Sequence, residues 1–315
     1  MEIIDGQIHA LHDIRSVFPD QASATQEAIA VRAAIAAMDA VGVNGAIVNW
    51  TPAFNEAAFR SYPDRFRTML AVEPRGAKAV EIVKATMPDF PTDGIVPYED
   101  DGHLAELVAE MRSTSGMVAL RVVPGRLPGE AWHHNAELFA RGGYDPAFAL
   151  AAEVGLPICV SIAGALHHLE RIAAEFSGTT VVIDHMGLLA SDVTGPAEES
   201  AVPQLLALAK FPNIAVKVSG LIAKSNQAFP FADLWPLVHS VFDAFGPERV
   251  MWGSDFTVHQ PRRTYAEALY FLLHTDVLVG TEKEPFFGGN LRRIFGWAGP
   301  EAGGPQATSS SYHSQ

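Results

Sequence analysis

Thr180-Val181-Val182-Ile183-Asp184-His185-Met186-Gly187 is the stretch on which the fold turns. A short β-branched run ends abruptly in an acid, an imidazole and a glycine. A run this apolar on both faces, stopped by polar residues, reads as a buried parallel strand, because such strands carry cover on either side. Seven more runs of the same kind lie along the chain: Ile3 to Ile8, Gly45 to Trp50, Arg67 to Val72, Met117 to Val123, Pro157 to Ile162, Ile214 to Val218 and Val250 to Ser254. Helical patterns separate them at Gln26 to Ala40, Asp101 to Arg112, Pro146 to Glu153, Leu166 to Phe176, Val202 to Lys210 and Phe231 to Phe245, and Tyr265 to Leu273 follows the last strand. Alternation of strand and helix implies a parallel sheet. Eight repeats imply an α/β chain closed into a (β/α)8 TIM barrel, one domain over residues 1–298, although a doubly wound open sheet shares the pattern.

The chain has 315 residues, 48% hydrophobic and 18% charged, which suits a globular protein with a large core. Its net charge of -14 excludes nonspecific binding to nucleic acid, which needs a basic footprint. Cys159 is the single cysteine, so no intrachain disulfide can form, and it reads as a small core residue. The first residues lack the basic and apolar runs of a signal peptide, and no segment approaches the apolar length of a membrane span. The expectation is a cytoplasmic protein acting on a small molecule, either alone or as a homo-oligomer. Arg75 to Asp100 reads as a long connection whose Phe90-Pro91-Thr92-Asp93-Gly94 loops over the mouth, and Val123 to Tyr144 as another, carrying Trp132, His133 and His134. The tail 299–315, rich in Gly, Ser and Pro, reads as disordered.

A closed barrel gathers the carboxyl ends of its strands at one mouth. His9 and Gln7 stand two apart at the end of the first strand, and so share a face. His185 ends the sixth, Asp255 follows the eighth, Arg121 interrupts the fourth, and Lys217 and Ser219 share a face on the seventh. Singly, each has an ordinary structural role open to it. His9 could be a core histidine, Arg121 and Lys217 could be buried ion-pair partners, Trp50 could be core, and His167 and His168 read as surface groups at a helix start. The joint placement of His9, His185 and Asp255 at strand ends favours one site.

The stretches Ile4-Asp5-Gly6-Gln7-Ile8-His9, Val182-Ile183-Asp184-His185-Met186-Gly187, Val216-Lys217-Val218-Ser219-Gly220, Met251-Trp252-Gly253-Ser254-Asp255-Phe256 and Gly289-Asn290-Leu291-Arg292-Arg293-Ile294-Phe295-Gly296 together resemble the amidohydrolase superfamily, in its amidohydrolase-related branch of lactonases and decarboxylases. The resemblance implies a hydrolase, most simply a lactonase, with Asp255 as general base and His185 and His9 polarising the substrate carbonyl. In this reading Arg121, assisted by Lys217 or Arg126, anchors a carboxylate, Gln7 and Trp50 line the substrate, and Asp184 orients the His185 ring. Gln7 replaces the first histidine of the family's His-x-His, and Arg121 and Ser161 stand where relatives place further metal ligands. A binuclear site is therefore excluded. A metal-free site is favoured over a single zinc held by His9, His185 and Asp255. The competing expectations are a zinc-dependent decarboxylase and a barrel that binds without catalysis.

Overall fold

The computed structural model describes residues 1–10, 20–86, 94–125, 130–258 and 262–298. The expected disordered tail, Arg126 and most of the Phe90 to Gly94 loop lie outside them. Nine parallel strands form one sheet in the order β1-β2-β3-β5-β6-β7-β8-β9, with β4 paired to β3 off that path. They are β1 Ile4–Ile8, β2 Gly45–Val48, β3 Phe66–Pro74, β4 Ile95–Tyr98, β5 Met117–Val122, β6 Ile158–Val160, β7 Val181–Ile183, β8 Ile214–Val218 and β9 Val250–Trp252. The last strand returns to the first through a parallel bridge between Ile8 and Phe256, supported by Asp255 N–H to the Gln7 carbonyl at 3.0 Å. Eight strands thus make a nearly closed (β/α)8 barrel. The eight expected strands are all present, and β4 is an addition, an edge piece made possible because Pro97 sits where no central partner needs its N–H.

Side-chain alternation explains how the barrel is filled. Ile4, Ile47, Met69, Ala119, Cys159, Val182, Ala215 and Met251, one from each barrel strand, pack together inside. Trp297, Phe295 and Leu291 join this cluster from the C-terminal segment. Two residues further along the same strand faces, the apolar layer gives way to Arg121, Asp184, Lys217 and Gly253, and then to Ser219 and Asp255. On β1 the register slips between Asp5 and Ile8. That slip turns Gln7 and His9 inward and leaves Asp5 facing the outer shell, where Tyr265 of the helix Tyr265–Leu273 lies over it. Gly6 is required at the seam, because a Cβ there would stand 2.7 Å from the Trp252 carbonyl oxygen.

Two expected loops contain regular structure. The connection after β3 holds the helix Ala79–Thr86 as well as β4, and the one after β5 holds the helix Glu130–Ala140. His133 and His134 are therefore helical, and the His134 imidazole is bonded to the Gly76 carbonyl at 2.6 Å. Buried Glu73 accepts hydrogen bonds from the Ala79 and Val80 amides, which fixes the start of the helix Ala79–Thr86. Among the described residues, no helix is long and apolar enough to cross a membrane.

Candidate active site

The seam between β1 and β9 brings the sequence-distant groups together. His9 Nε2 lies 3.0 Å from Asp255 Oδ1, and Gln7 Nε2 donates to the same oxygen at 3.0 Å. His185 Nδ1 lies 3.9 Å from the other oxygen, Oδ2, too far for a hydrogen bond. Two of these residues hold left-handed backbone, Asp255 at φ 60° and His185 at φ 55°, a conformation that costs energy outside glycine and collects at functional sites. It lifts both side chains off the strand path. Asp255 is almost wholly buried but borders a narrow cleft with Ile222, Phe256, Thr257 and Arg263.

His185 is not oriented by Asp184. Ser219 Oγ lies 2.9 Å from His185 Nδ1 and also accepts the His185 backbone N–H at 3.3 Å. The Ser219 oxygen keeps a second lone pair beside that amide, so either partner can donate in this contact; with the hydroxyl donating to Nδ1, the neutral ring carries its hydrogen on Nε2. Burial lowers the His185 pKa to about 4, only partly opposed by the charges of Asp255 and Asp184, so the ring is neutral at pH 7.

Asp184 belongs to a charge cluster beneath the mouth. Its Oδ2 accepts Arg121 Nε at 2.8 Å and its Oδ1 accepts Lys217 Nζ at 2.7 Å. Burial alone would raise this carboxyl's pKa, yet Lys217 and Arg121 together hold it well below the usual carboxylate range. Burial likewise acts to lower Lys217, and Asp184 with Cys159 outweighs it, keeping the ammonium firmly charged. Lys217 is fully buried, and its three donors point to Asp184 Oδ1, Gln7 Oε1 at 3.2 Å and Cys159 Sγ at 3.7 Å. It thus has no donor left for a substrate, and of the two roles open to it the geometry matches the internal ion pair. Arg121 keeps a slightly exposed guanidinium whose terminal nitrogens make no hydrogen bond among the described residues. Trp50 meets the His9 ring edge-on with centroids 5.6 Å apart.

Sequence reasoning passed over Lys224. It ends the 3-10 turn Leu221–Lys224 directly after β8, is half-buried, and has no hydrogen bond or ion pair among the described residues. Burial lowers its pKa, and it stands near enough to Asp255 for the two charges to act on each other. Nothing in the local sequence separates it from an ordinary surface lysine.

A metal ion does not fit this donor set. Lys217 can only donate, so the Gln7 atom facing it must be the carbonyl oxygen. The Gln7 amide nitrogen therefore faces Asp255 and His9, placing N–H groups where a cation would need lone pairs. Among the described residues, no three His, Cys, Asp or Glu side chains are grouped to hold a metal ion, His9, His185 and Asp255 included.

A nearly closed parallel barrel with imidazoles and a carboxylate at its carboxyl-end seam defines a class of hydrolytic enzyme. The amidohydrolase family model matches residues 4–297, and the chain belongs to that family of barrel hydrolases. L-fucono-1,5-lactonase from Burkholderia multivorans is 27% identical over 215 residues, 64% of this chain and 70% of that protein. An uncharacterised protein, y4mH, from Sinorhizobium fredii is 30% identical over 96 residues, and this chain spans only 31% of its length. Among solved structures, an amidohydrolase from Burkholderia multivorans with bound HEPES superposes with a TM-score of 0.66 at 19% identity, covering 94% of this chain and 99% of that one. The 5-carboxyvanillate decarboxylase of Sphingomonas paucimobilis gives 0.51 at 15% identity, covering 93% of this chain and 98% of that one. At these identities the superpositions speak for the fold.

Proposed function

We propose that this enzyme is a lactonase that opens a small, carboxylate-bearing lactone with a water activated by Asp255. The carrying observation is the meeting of Gln7, His9, His185 and Asp255, drawn from three strands, at one point of the mouth. Two donors hold Asp255 Oδ1 and fix the carboxylate plane. Oδ2, 3.9 Å from His185 Nδ1, is the oxygen to which a water in the mouth donates. Asp255 takes a proton from that water, and the oxygen attacks the lactone carbonyl carbon. Neutral His185, protonated on Nε2, donates to the developing oxyanion. The ring C–O bond then breaks, and the proton held by Asp255 passes to the leaving alkoxide, restoring the carboxylate.

Two cations at the mouth suit a negatively charged substrate. Arg121 offers its terminal nitrogens, a planar fork suited to a carboxylate, and Lys224 an ammonium with no hydrogen bond or ion pair among the described residues. The lactonase among the curated relatives supports ring opening over other chemistries of the family. The test is acid release, followed by pH-stat, from matched small lactones with and without a carboxylate, alongside carbon dioxide release from acidic aromatic compounds. Turnover of the charged lactones is expected. Carbon dioxide release with no lactone turnover would replace this reading with decarboxylation.

A further inference from the structure

We propose that Asp5 is a positioning residue for the active site, a buried carboxylate in the outer wall of the barrel that sets the turn carrying Asp255 and the strand end carrying Gln7 and His9. The proposal deepens the hydrolytic reading and rests on it only for the kinetic half of its test.

Asp5 lies below the mouth, on the opposite face of β1 from Gln7 and His9, and is fully buried. One of its oxygens, Oδ1, accepts two backbone amides from opposite sides of the seam: Gln7 N–H at 3.0 Å and Ser254 N–H at 2.8 Å. The other, Oδ2, accepts the Ser254 hydroxyl at 2.5 Å. That hydroxyl oxygen in turn accepts Phe256 N–H at 2.9 Å, and the Phe256 carbonyl accepts His9 N–H at 2.5 Å. The residues on both sides of Asp255 are therefore tied, directly or through one serine, to a single carboxylate. The Asp255 N–H, which donates to the Gln7 carbonyl at 3.0 Å, closes the loop. This web holds Asp255 in its left-handed conformation, which a side chain other than glycine keeps only when its surroundings enforce it.

The carboxylate is retained at a cost. Burial pushes the Asp5 carboxyl up to about 6, against the hydrogen bonds, those of Ser254 and Gln7 foremost, that pull it down. The Tyr265 hydroxyl, from the overlying helix, is the titratable group that faces it, and it stands beside Asp5 and Ser254 without closing a well-formed hydrogen bond. A group needed to pin three donors at fixed angles must be an acceptor on both oxygens.

Asp5→Asn keeps the shape and one acceptor oxygen but turns the other into a donor facing Ser254. For this variant, kcat is expected to fall by about 10- to 100-fold with KM little changed, measured where the variant is fully folded. A merely structural Asp5 would leave kcat of the folded enzyme at the wild-type value. Independently of any substrate, the His9 ring signals in a histidine NMR spectrum, assigned with His9→Gln, are expected to move in Asp5→Asn. Ser254→Ala, a smaller change to the same web, should move them in the same way and serves if Asp5→Asn fails to fold. His9 signals coincident with those of the wild type would overturn the proposal, whatever the enzyme proves to hydrolyse.

Discussion

Lys217 carries its charge inward, and that decides how the residues around it behave. Its ammonium holds Asp184 and orients Gln7, so Lys217→Met would leave Gln7 free to turn over and strip Asp184 of one of its two cations. Breaking a buried pair of this kind costs about 3–5 kcal/mol, which denaturant unfolding of Lys217→Met would register. Lys224 is expected to behave in the opposite way. Lys224→Met should leave stability nearly unchanged and raise KM about tenfold for a carboxylate-bearing lactone, the size of one charge-assisted hydrogen bond, while KM for a neutral lactone stays put. Equal effects on both substrates would remove Lys224 from recognition. His9, His185 and Asp255 were legible in the sequence because each sits at a strand end. The Gln7–Lys217 and Asp5–Ser254 contacts were not, because they join residues 210 and 249 positions apart and no local pattern encodes such a meeting.

Among the elements, the buried strands announced themselves through continuous apolar runs, and their order followed from the alternation with helices. The helix Pro52–Ser61 did not, although Thr51 accepts the Phe54 N–H as its cap and Pro52 fills the first turn, a start signal that was present in the sequence. The helix Glu130–Ala140 was obscured by its polar and histidine-rich composition. The closing segment shows what an element contributes beyond its own hydrogen bonds. The short helix Asn290–Ile294 and Trp297 behind it plug the end of the barrel away from the catalytic mouth, and the Trp297 ring also stacks beneath the guanidinium groups of Arg67 and Arg292. Trp297→Ala should cost about 3–5 kcal/mol in calorimetry or denaturant unfolding, with kcat and KM retained. A loss of activity out of proportion to stability would mean that the plug reaches the site.

At the scale of the whole molecule, the barrel concentrates opposed charges in an enclosed volume, and stability should follow pH accordingly. An unfolded histidine takes up its proton near pH 6.5, whereas folded His185 resists until about 4. The unfolded chain therefore binds more protons at this histidine over that interval, so the His185 contribution to stability is lost as pH drops through it, while Asp5, raised to about 6 in the fold, acts in the opposite direction between about 6 and 3.8. His185→Gln should flatten this part of the curve. Asp184 acts lower still. Its folded pKa is depressed, so its contribution is complete above the ordinary value of 3.8 and is lost only as the pH falls below that. Asp184→Asn should blunt the acid end, and equilibrium unfolding across pH 3 to 8 checks both.

The barrel exists, in this view, to hold one carboxylate against two imidazoles and an amide so that it can deprotonate water. The most direct measurement is kcat of purified Asp255→Asn on a lactone that the wild type hydrolyses, with its circular dichroism and unfolding midpoint compared. Loss of a positioned general base predicts a fall of about 10²- to 10⁴-fold in kcat with the fold intact. A folded Asp255→Asn enzyme that retains wild-type turnover would contradict it.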